Sequence, residues 1–266
     1  MDLRIGTTLS GYELTTALGR GSLGETFVAS DAKGRNVVVK VVHGRLSLFA
    51  QVERFWKTQT TLAETANPYV AVPSDSTWTD SGRFLMVLDH LAGVDLAAAI
   101  AAGPLAPNQV LRFAGQVCLA LEGAHGVDIV HGGITSHNIF LVRTADASRD
   151  QIPRVFSTRV TDFAGHILRS DEGGAAPTPS DDLRALVLVM IQALLGSTTL
   201  KFAEAKASLS QIPAGLSDIL RRALADNPTT RYTRVAELRE ALEAWAAEEP
   251  AELKTQGPAI FATSPK

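Results

Sequence analysis

The sequence predicts an α+β protein in which a smaller β-rich part precedes a larger helical part. The run of residues 37–42 is β-branched apart from Lys40, which is typical of a buried strand, and the chain reads as strands up to about Asp89. From about Asp95 the apolar residues recur with the period of a helix, first in the amphipathic segment 108–125. The change from one period to the other indicates two lobes of different architecture.

The other elements follow from the same patterns. A glycine-rich turn near residue 20 joins two strands, and residues 84–88 form another strand that leads into a loop. Linker-like composition marks residues 170–180 and the tail after Glu249. The remaining helices are predicted at residues 53–66, 182–196, 216–225 and 235–247.

Composition excludes several classes of protein. Of the 266 residues, 45% are hydrophobic and 20% are charged, which is typical of a globular chain and not of a disordered one. The net charge of −3 gives no support to a nucleic-acid partner. The single cysteine, Cys118, can form no internal disulfide and no cysteine-based zinc site. The most apolar run, residues 185–195, is about half the length that spans a bilayer, so we expect no membrane span and a cytoplasmic protein.

Four motifs follow one another along the chain. Gly19, Gly21 and Gly24 lie between two strands, which argues against a Rossmann dinucleotide site, and Lys40 follows in a β-branched strand. Far downstream come His131-Gly-Gly-Ile-Thr-Ser-His-Asn138 and Thr161-Asp-Phe-Ala164. This order resembles the eukaryotic-like (Hanks-type) Ser/Thr protein kinases of bacteria. The resemblance implies a two-lobed protein-kinase-like fold, with an N-lobe at 1–89, a C-lobe at 90–249 and a flexible tail or linker at 250–266.

The resemblance also implies a nucleotide site, with Asn138 and Asp162 as the metal ligands. Whether ATP and Mg²⁺ bind is left open, because the large side chains of Val38 and Phe140 stand where the family has smaller residues around the adenine. The residues implied for nucleotide binding are Gly19, Gly21, Gly24, Lys40, Asp89, Asn138 and Asp162.

Four positions depart from the family's pattern. Gly133 replaces the aspartate that orients the attacking hydroxyl, and Thr135 replaces the lysine of the same loop. Thr58 stands where the family has the glutamate that pairs with the strand lysine, and Ala164 replaces the glycine of Asp-Phe-Gly. A general base contributes about 10²–10⁴ in rate. We therefore expect no catalytic residues and no enzyme activity, which describes a pseudokinase.

This interpretation gives the chain a binding role, as a scaffold or allosteric partner in bacterial phosphorylation signalling. The expected partner is a protein, either an active Ser/Thr kinase or a phosphopeptide-reading domain. Two alternatives remain open. One is a nucleotide-binding sensor, and the other is an atypical nucleotide-dependent transferase that uses Lys40, Asn138 and Asp162.

Overall fold

The N-terminal part of the chain is an antiparallel sheet with one helix. The computed structural model describes residues 3–21, 23–42, 49–143, 156–168 and 175–248. The sheet has six strands in the order β1-β2-β3-β4-β6-β5, and every neighbouring pair is antiparallel. The strands are β1 Thr8–Leu9, β2 Tyr12–Arg20, β3 Gly24–Ser30, β4 Asn36–Val42, β5 Asp75–Trp78 and β6 Phe84–Asp89.

Strand β4 lies between β3 and β6 and carries the alternation that sorts the two faces of the sheet. Val39 and Val41 pack into one apolar cluster, and Val38 and Val42 pack into another on the opposite face. Successive side chains of a strand point to opposite faces. Lys40 therefore shares the face of Val38 and Val42, which is the face covered by the helix.

That helix, α1, spans Phe49–Glu64. It begins four residues before the predicted start at residue 53, and Phe49 is largely exposed, so the apolar pattern holds no signal for the first turn. The buried stripe of α1 consists of Val52, Phe55, Gln59 and Leu62.

The second part is mainly helical and holds the largest core. A three-stranded antiparallel sheet lies beside the helices in the order β7-β8-β9. Its strands are β7 Gly93–Asp95, β8 Ile139–Arg143 and β9 Phe156–Val160. The helices are α2 Leu96–Ala101, α3 Pro107–His125, α4 Pro179–Leu195, α5 Phe202–Ala207, α6 Ala214–Ala223 and α7 Val235–Glu248.

Helix α4 begins three residues before its predicted start. Thr178 caps it by accepting from the Asp181 backbone N–H, and Pro179 occupies the first helical position, where a missing N–H costs nothing. In the described ranges, the chain has no helix whose length and apolarity would suit a bilayer crossing. The predicted tail at 250–266 lies outside the described residues.

Candidate functional site

The cleft between the two lobes brings together two of the predicted residues from distant parts of the chain. The ammonium of Lys40, on β4, contacts both carboxylate oxygens of Asp162, with Nζ 2.6 Å from Oδ1. Their side chains are only 14% and 12% exposed. Opposite charges in a partly desolvated site attract each other more strongly than they do in water. The cleft therefore holds a cation and a carboxylate that are 122 residues apart in sequence.

Asn138 lies on the large-lobe side of this pair. It ends the short 3-10 helix Ser136–Asn138, and its carbonyl accepts from the Thr161 N–H at 2.9 Å, one residue before Asp162. Its side-chain Nδ2 donates to the Gly133 carbonyl at 2.8 Å. This bond uses the amide nitrogen, so the side-chain oxygen is the atom that suits a hard cation.

The glycine loop joins β2 to β3 above the cleft. The Gly21 N–H donates to the Gly24 carbonyl at 2.9 Å and closes the turn. A Cβ on Gly24 would lie 2.2 Å from the Val41 carbonyl oxygen, so only glycine allows β3 to approach β4 there. Gly19 has φ +150°, and no described atom lies within 4 Å of its Cβ position. Asp89 ends β6 with an exposed side chain, at the point where the chain leaves the small lobe.

The tip of the glycine loop closes onto the segment that follows Asp162. Leu23 is buried, and a Cβ on Gly165 would lie 3.5 Å from its Cδ2. Leu168, at the end of the 3-10 helix Gly165–Leu168, is buried in the same apolar cluster. The other buried members of this cluster are Val42, Val52, Phe55, Phe84, Met86 and Leu88.

The two large residues expected around the adenine lie on opposite sides of the cleft. Val38 packs against the Leu23–Leu168 cluster from β4. Phe140 lies on β8 with a half-buried side chain, opposite Asp95 in the ladder with β7 and opposite Arg159 in the ladder with β9.

Helix α1 contacts the cleft through a residue that the sequence analysis did not single out. The Thr58 hydroxyl donates back to the Arg54 carbonyl of its own helix. The next residue, Gln59, is buried, and its Nε2 donates to the Phe163 carbonyl at 2.8 Å. Its place on the apolar stripe between Phe55 and Leu62 was the available signal, because a buried amide needs a hydrogen-bond partner.

A buried aspartate on α4 holds the loop that begins at His131. The Asp182 carboxylate accepts from the backbone N–H groups of His131 and Gly132, each at 2.8 Å. His125 Nε2 lies 3.0 Å from the same carboxylate. Three contacts thus converge on one carboxylate whose side chain is 1% exposed.

The imidazole of His131 packs beneath the loop. It lies 4.5 Å from the Phe163 ring, centroid to centroid, and its Nε2 is 2.9 Å from the Thr161 carbonyl. Burial lowers the pKa of His131, so the ring is neutral and Nε2 carries the proton that is donated to Thr161. His131 and Phe163 therefore serve as packing residues.

The two glycines of the loop differ in the space around them. Gly132 has φ +69°, and a Cβ there would lie 2.4 Å from His166 Nδ1 and 2.8 Å from Pro177 Cγ. Gly133 has no positive φ, and among the described residues the nearest atom to its Cβ position is 4.0 Å away, on His131. A side chain at 133 therefore meets no described neighbour closely, whereas one at 132 would force its neighbours to shift. Thr135, two residues further on, is exposed.

This difference predicts opposite outcomes for one pair of substitutions. Gly132→Ala is expected to lower the free energy of unfolding by about 2–4 kcal/mol, from left-handed strain and overpacking. Gly133→Ala is expected to change it by less than about 0.5 kcal/mol. Urea denaturation of both variants measures the difference, and equal effects would contradict the crowding described at Gly132.

Comparison with known proteins identifies the family. Residues 12–172, more than half of the chain, match the protein kinase domain. The chain belongs to the protein kinase family. This kinase domain is 26% identical to the serine/threonine-protein kinase Pkn1 of Myxococcus xanthus over 93% of its own length. It is 27% identical to the serine/threonine-protein kinase PknE of Mycobacterium bovis over 91%. The predicted membership of the bacterial Ser/Thr kinase family is confirmed.

Solved structures agree on the fold of this kinase domain. The kinase domain of Mycobacterium tuberculosis PknI superimposes with a TM-score of 0.69 at 22% identity, over 91% of this chain and 99% of that one. A Rad53 fragment solved with AMP-PNP superimposes with a TM-score of 0.66 at 17% identity, over 88% of this chain and 66% of that one. The predicted two-lobed α+β kinase fold is confirmed. The chain spans 40% of the length of Pkn1 and 47% of that of PknE.

One prediction is wrong on these comparisons. Gly133, Thr135, Thr58 and Ala164 led us to predict that the chain is not an enzyme. The relatives that match this kinase domain over nine tenths of its length are named serine/threonine-protein kinases, and the protein kinase domain itself matches. The physical reason for the error is that this prediction equated four altered side chains with the loss of the whole site, whereas Lys40 and Asp162 still meet in the cleft.

Proposed function

We propose that this chain is a nucleotide-dependent phosphotransferase of bacterial signalling, in which Lys40, Asp162 and Asn138 carry the site. The observation that carries the proposal is the contact between the Lys40 ammonium and the Asp162 carboxylate in the cleft. Phosphoryl transfer depends on positioning and charge stabilisation: a cation for the phosphates, a metal held by oxygen ligands, and an oriented acceptor hydroxyl. The first two of these requirements match residues of the cleft.

The donor set fits Mg²⁺ and a nucleotide. Mg²⁺ prefers carboxylate and amide oxygens, which Asp162 and Asn138 supply. The hydrogen bond from the Thr161 N–H to the Asn138 carbonyl brings the two residues near each other. When bound, Mg²⁺ neutralises charge on the phosphates. Lys40 would bind phosphate oxygens, and Gly19 and Gly21 leave the glycine loop without side chains at these two positions. AMP-PNP, with which the Rad53 fragment was solved, is the kind of ligand that this set suits.

In kinases that keep the loop aspartate, its carboxylate orients the acceptor hydroxyl, and this chain has Gly133 at that position. Gly133 offers no carboxylate to this hydroxyl, and no described atom lies closer than 4.0 Å to its Cβ position. Since a general base contributes about 10²–10⁴ in rate, we expect transfer slower by that factor than the roughly 1–100 s⁻¹ of protein kinases.

Transfer of radioactive phosphate from ATP to a generic protein substrate tests the proposal. We expect slow, Mg²⁺-dependent incorporation that is lost in Lys40→Met and in Asp162→Asn, because each variant removes one charge of the pair. Lys57→Met, which alters an exposed lysine of α1, is the matched control and should transfer like the wild type. Incorporation at the wild-type rate in Lys40→Met and Asp162→Asn, or none in the wild type, would refute the proposal.

A second candidate function, nucleotide sensing, is favoured by the contact of Leu23 with the segment at Gly165. A nucleotide entering beneath the glycine loop would have to displace Leu23 from its buried position, so binding would change the closure of the two lobes. Hydrogen exchange of the glycine loop with and without Mg-ATP tests this candidate. Slower exchange in β4 together with faster exchange at Leu23 would support it, and unchanged exchange would refute it.

The partner is proposed to be a protein, either an active Ser/Thr kinase or a phosphopeptide-reading domain. Thr178 supports this proposal because it is exposed and precedes Pro179 at the start of α4. A phosphate there would add about −1.5 to −2 charge and three acceptor oxygens. Mass spectrometry after incubation with active kinases tests it, with Thr178→Ala as the control. No phosphate at Thr178, or unchanged partner binding by Thr178→Ala, would refute this site.

A further inference from the structure

Gln59 is the one polar residue on the buried stripe of α1, and it faces the cleft. Its side chain is 4% exposed, among the apolar residues Val52, Phe55 and Leu62. Burying an unpaired amide is unfavourable, so a residue in this place needs a specific partner. The partner is the carbonyl of Phe163, 104 residues later and 2.8 Å from Nε2.

The Phe163 carbonyl that Gln59 contacts lies in a turn whose backbone conformation is unfavourable. Asp162 and Ala164, on either side of Phe163, have φ +65° and +56°. Left-handed backbone is unfavourable for residues with a Cβ, so such a turn persists only where its surroundings hold it. The direction of the Asp162 carboxylate depends on this turn, because Asp162 is its first residue.

Three of the hydrogen bonds that hold the backbone of this turn come from different elements. The Gly165 N–H donates to the Asp162 carbonyl at 3.1 Å, within the turn itself. The Ala164 N–H donates to the His131 carbonyl at 3.0 Å, in the large lobe. The Gln59 amide is the one of the three that comes from the small lobe. The turn is therefore tied to both lobes.

We infer that Gln59 is a positioning residue for Asp162. Its uncharged amide links α1 to the turn and so fixes the Asp162 carboxylate relative to Lys40, which lies on the small lobe like α1. Thr58 cannot provide such a link, because its hydroxyl is directed to Arg54 of the same helix. The inference rests on the proposed function, in which Asp162 holds Mg²⁺. It adds a residue of α1 to the groups that determine how well the cleft takes the metal.

Two substitutions remove the donor while keeping the length of the side chain. Gln59→Met replaces the amide by an apolar group, and Gln59→Glu replaces the N–H donor by an acceptor of the same shape. Thr60→Ala is the matched control, since Thr60 is the exposed neighbour on the same helix. If the N–H donor of Gln59 is the group that matters, Gln59→Met and Gln59→Glu should give the same result, although one new side chain is apolar and the other is acidic.

The measurement is the affinity for ATP with and without Mg²⁺, by calorimetry. We expect the gain in affinity that Mg²⁺ gives the wild type to fall at least about fivefold in Gln59→Met and Gln59→Glu, because a lost hydrogen bond disorders the turn that carries Asp162. The affinity for metal-free ATP should stay within about twofold, and Thr60→Ala should behave like the wild type. A lower melting temperature with an unchanged effect of Mg²⁺ would mean that Gln59 only supports the fold, and would overturn the inference.

A second readout works without nucleotide and separates the two proposals. Hydrogen exchange at the amides of Ala164 and Gly165 should be faster in both Gln59 variants than in the wild type, and unchanged in Thr60→Ala. If the wild type shows no Mg²⁺-dependent ATP binding, the proposed function fails, and exchange at these two amides alone decides the inference. Exchange equal to that of the wild type in Gln59→Met and Gln59→Glu would overturn it.

Discussion

Asp182→Ala is expected to lower the free energy of unfolding by about 3–5 kcal/mol. The carboxylate is 1% exposed and accepts from two backbone N–H groups, those of His131 and Gly132. Its removal leaves both donors without their acceptor and leaves His125 without its contact. Urea denaturation with linear extrapolation measures the change.

The neighbouring residue offers a matched control for this substitution. Asp181 is exposed and accepts from the backbone and hydroxyl of Thr178 at the start of α4, so Asp181→Ala should cost only about 0.5–2 kcal/mol. These hydrogen bonds lower the pKa of Asp181 below its ordinary value of 3.8. Its contribution is therefore complete above that value and is lost as the pH falls through the lower folded-state pKa. An equal cost for Asp181→Ala and Asp182→Ala at neutral pH would contradict the role given to Asp182.

Leu168→Ala is expected to destabilise the fold and at the same time to tighten ATP binding. Truncating a buried leucine costs about 2–5 kcal/mol. Leu168 packs in the same apolar cluster as Leu23, so its truncation also weakens the packing that keeps the glycine loop closed over the cleft. A ligand that binds only the open form has an apparent affinity reduced by the fraction of molecules that are open. Weakening the closed form should therefore lower the apparent Kd for ATP by up to about tenfold.

Leu209→Ala is the control for the leucine substitution, because Leu209 is equally buried but belongs to the core of the large lobe. It should lower stability by a similar amount and leave the Kd for ATP unchanged. Thermal unfolding and calorimetry on both variants provide the comparison. Unchanged or weaker ATP binding by Leu168→Ala would show that the cluster does not compete with the nucleotide.

Local patterns predicted the elements and several of the groups that meet in the cleft. The continuous β-branched run at residues 37–42 predicted strand β4 with Lys40 inside it, and the two faces of the strand became clear only from its packing. The order of the motifs placed Asp162 and Asn138 in the same site. The cap and proline at Thr178-Pro179 were a readable signal for the start of α4, which the apolar period alone missed.

The contacts across the cleft could not be predicted in this way. Counting along α1 identified Thr58 as the residue to compare with the family, but the helix directs Gln59 to the turn at Phe163. The packing of Leu23 with Leu168 joins segments that are far apart in sequence and carries no periodic signal. Such contacts depend on how the lobes meet, which no local preference specifies.

Gly132 stands where the resembled kinases have an arginine, and the crowding around Gly132 opposes a return to that residue. An arginine at this position would need a backbone other than φ +69° and would collide with His166 and Pro177. The backbone of the loop or these two side chains would have to shift before an arginine could be accommodated. Among the described residues, an aspartate at the next position, Gly133, meets no such obstacle. A carboxylate at 133 is therefore easier to restore by a single substitution than an arginine at 132.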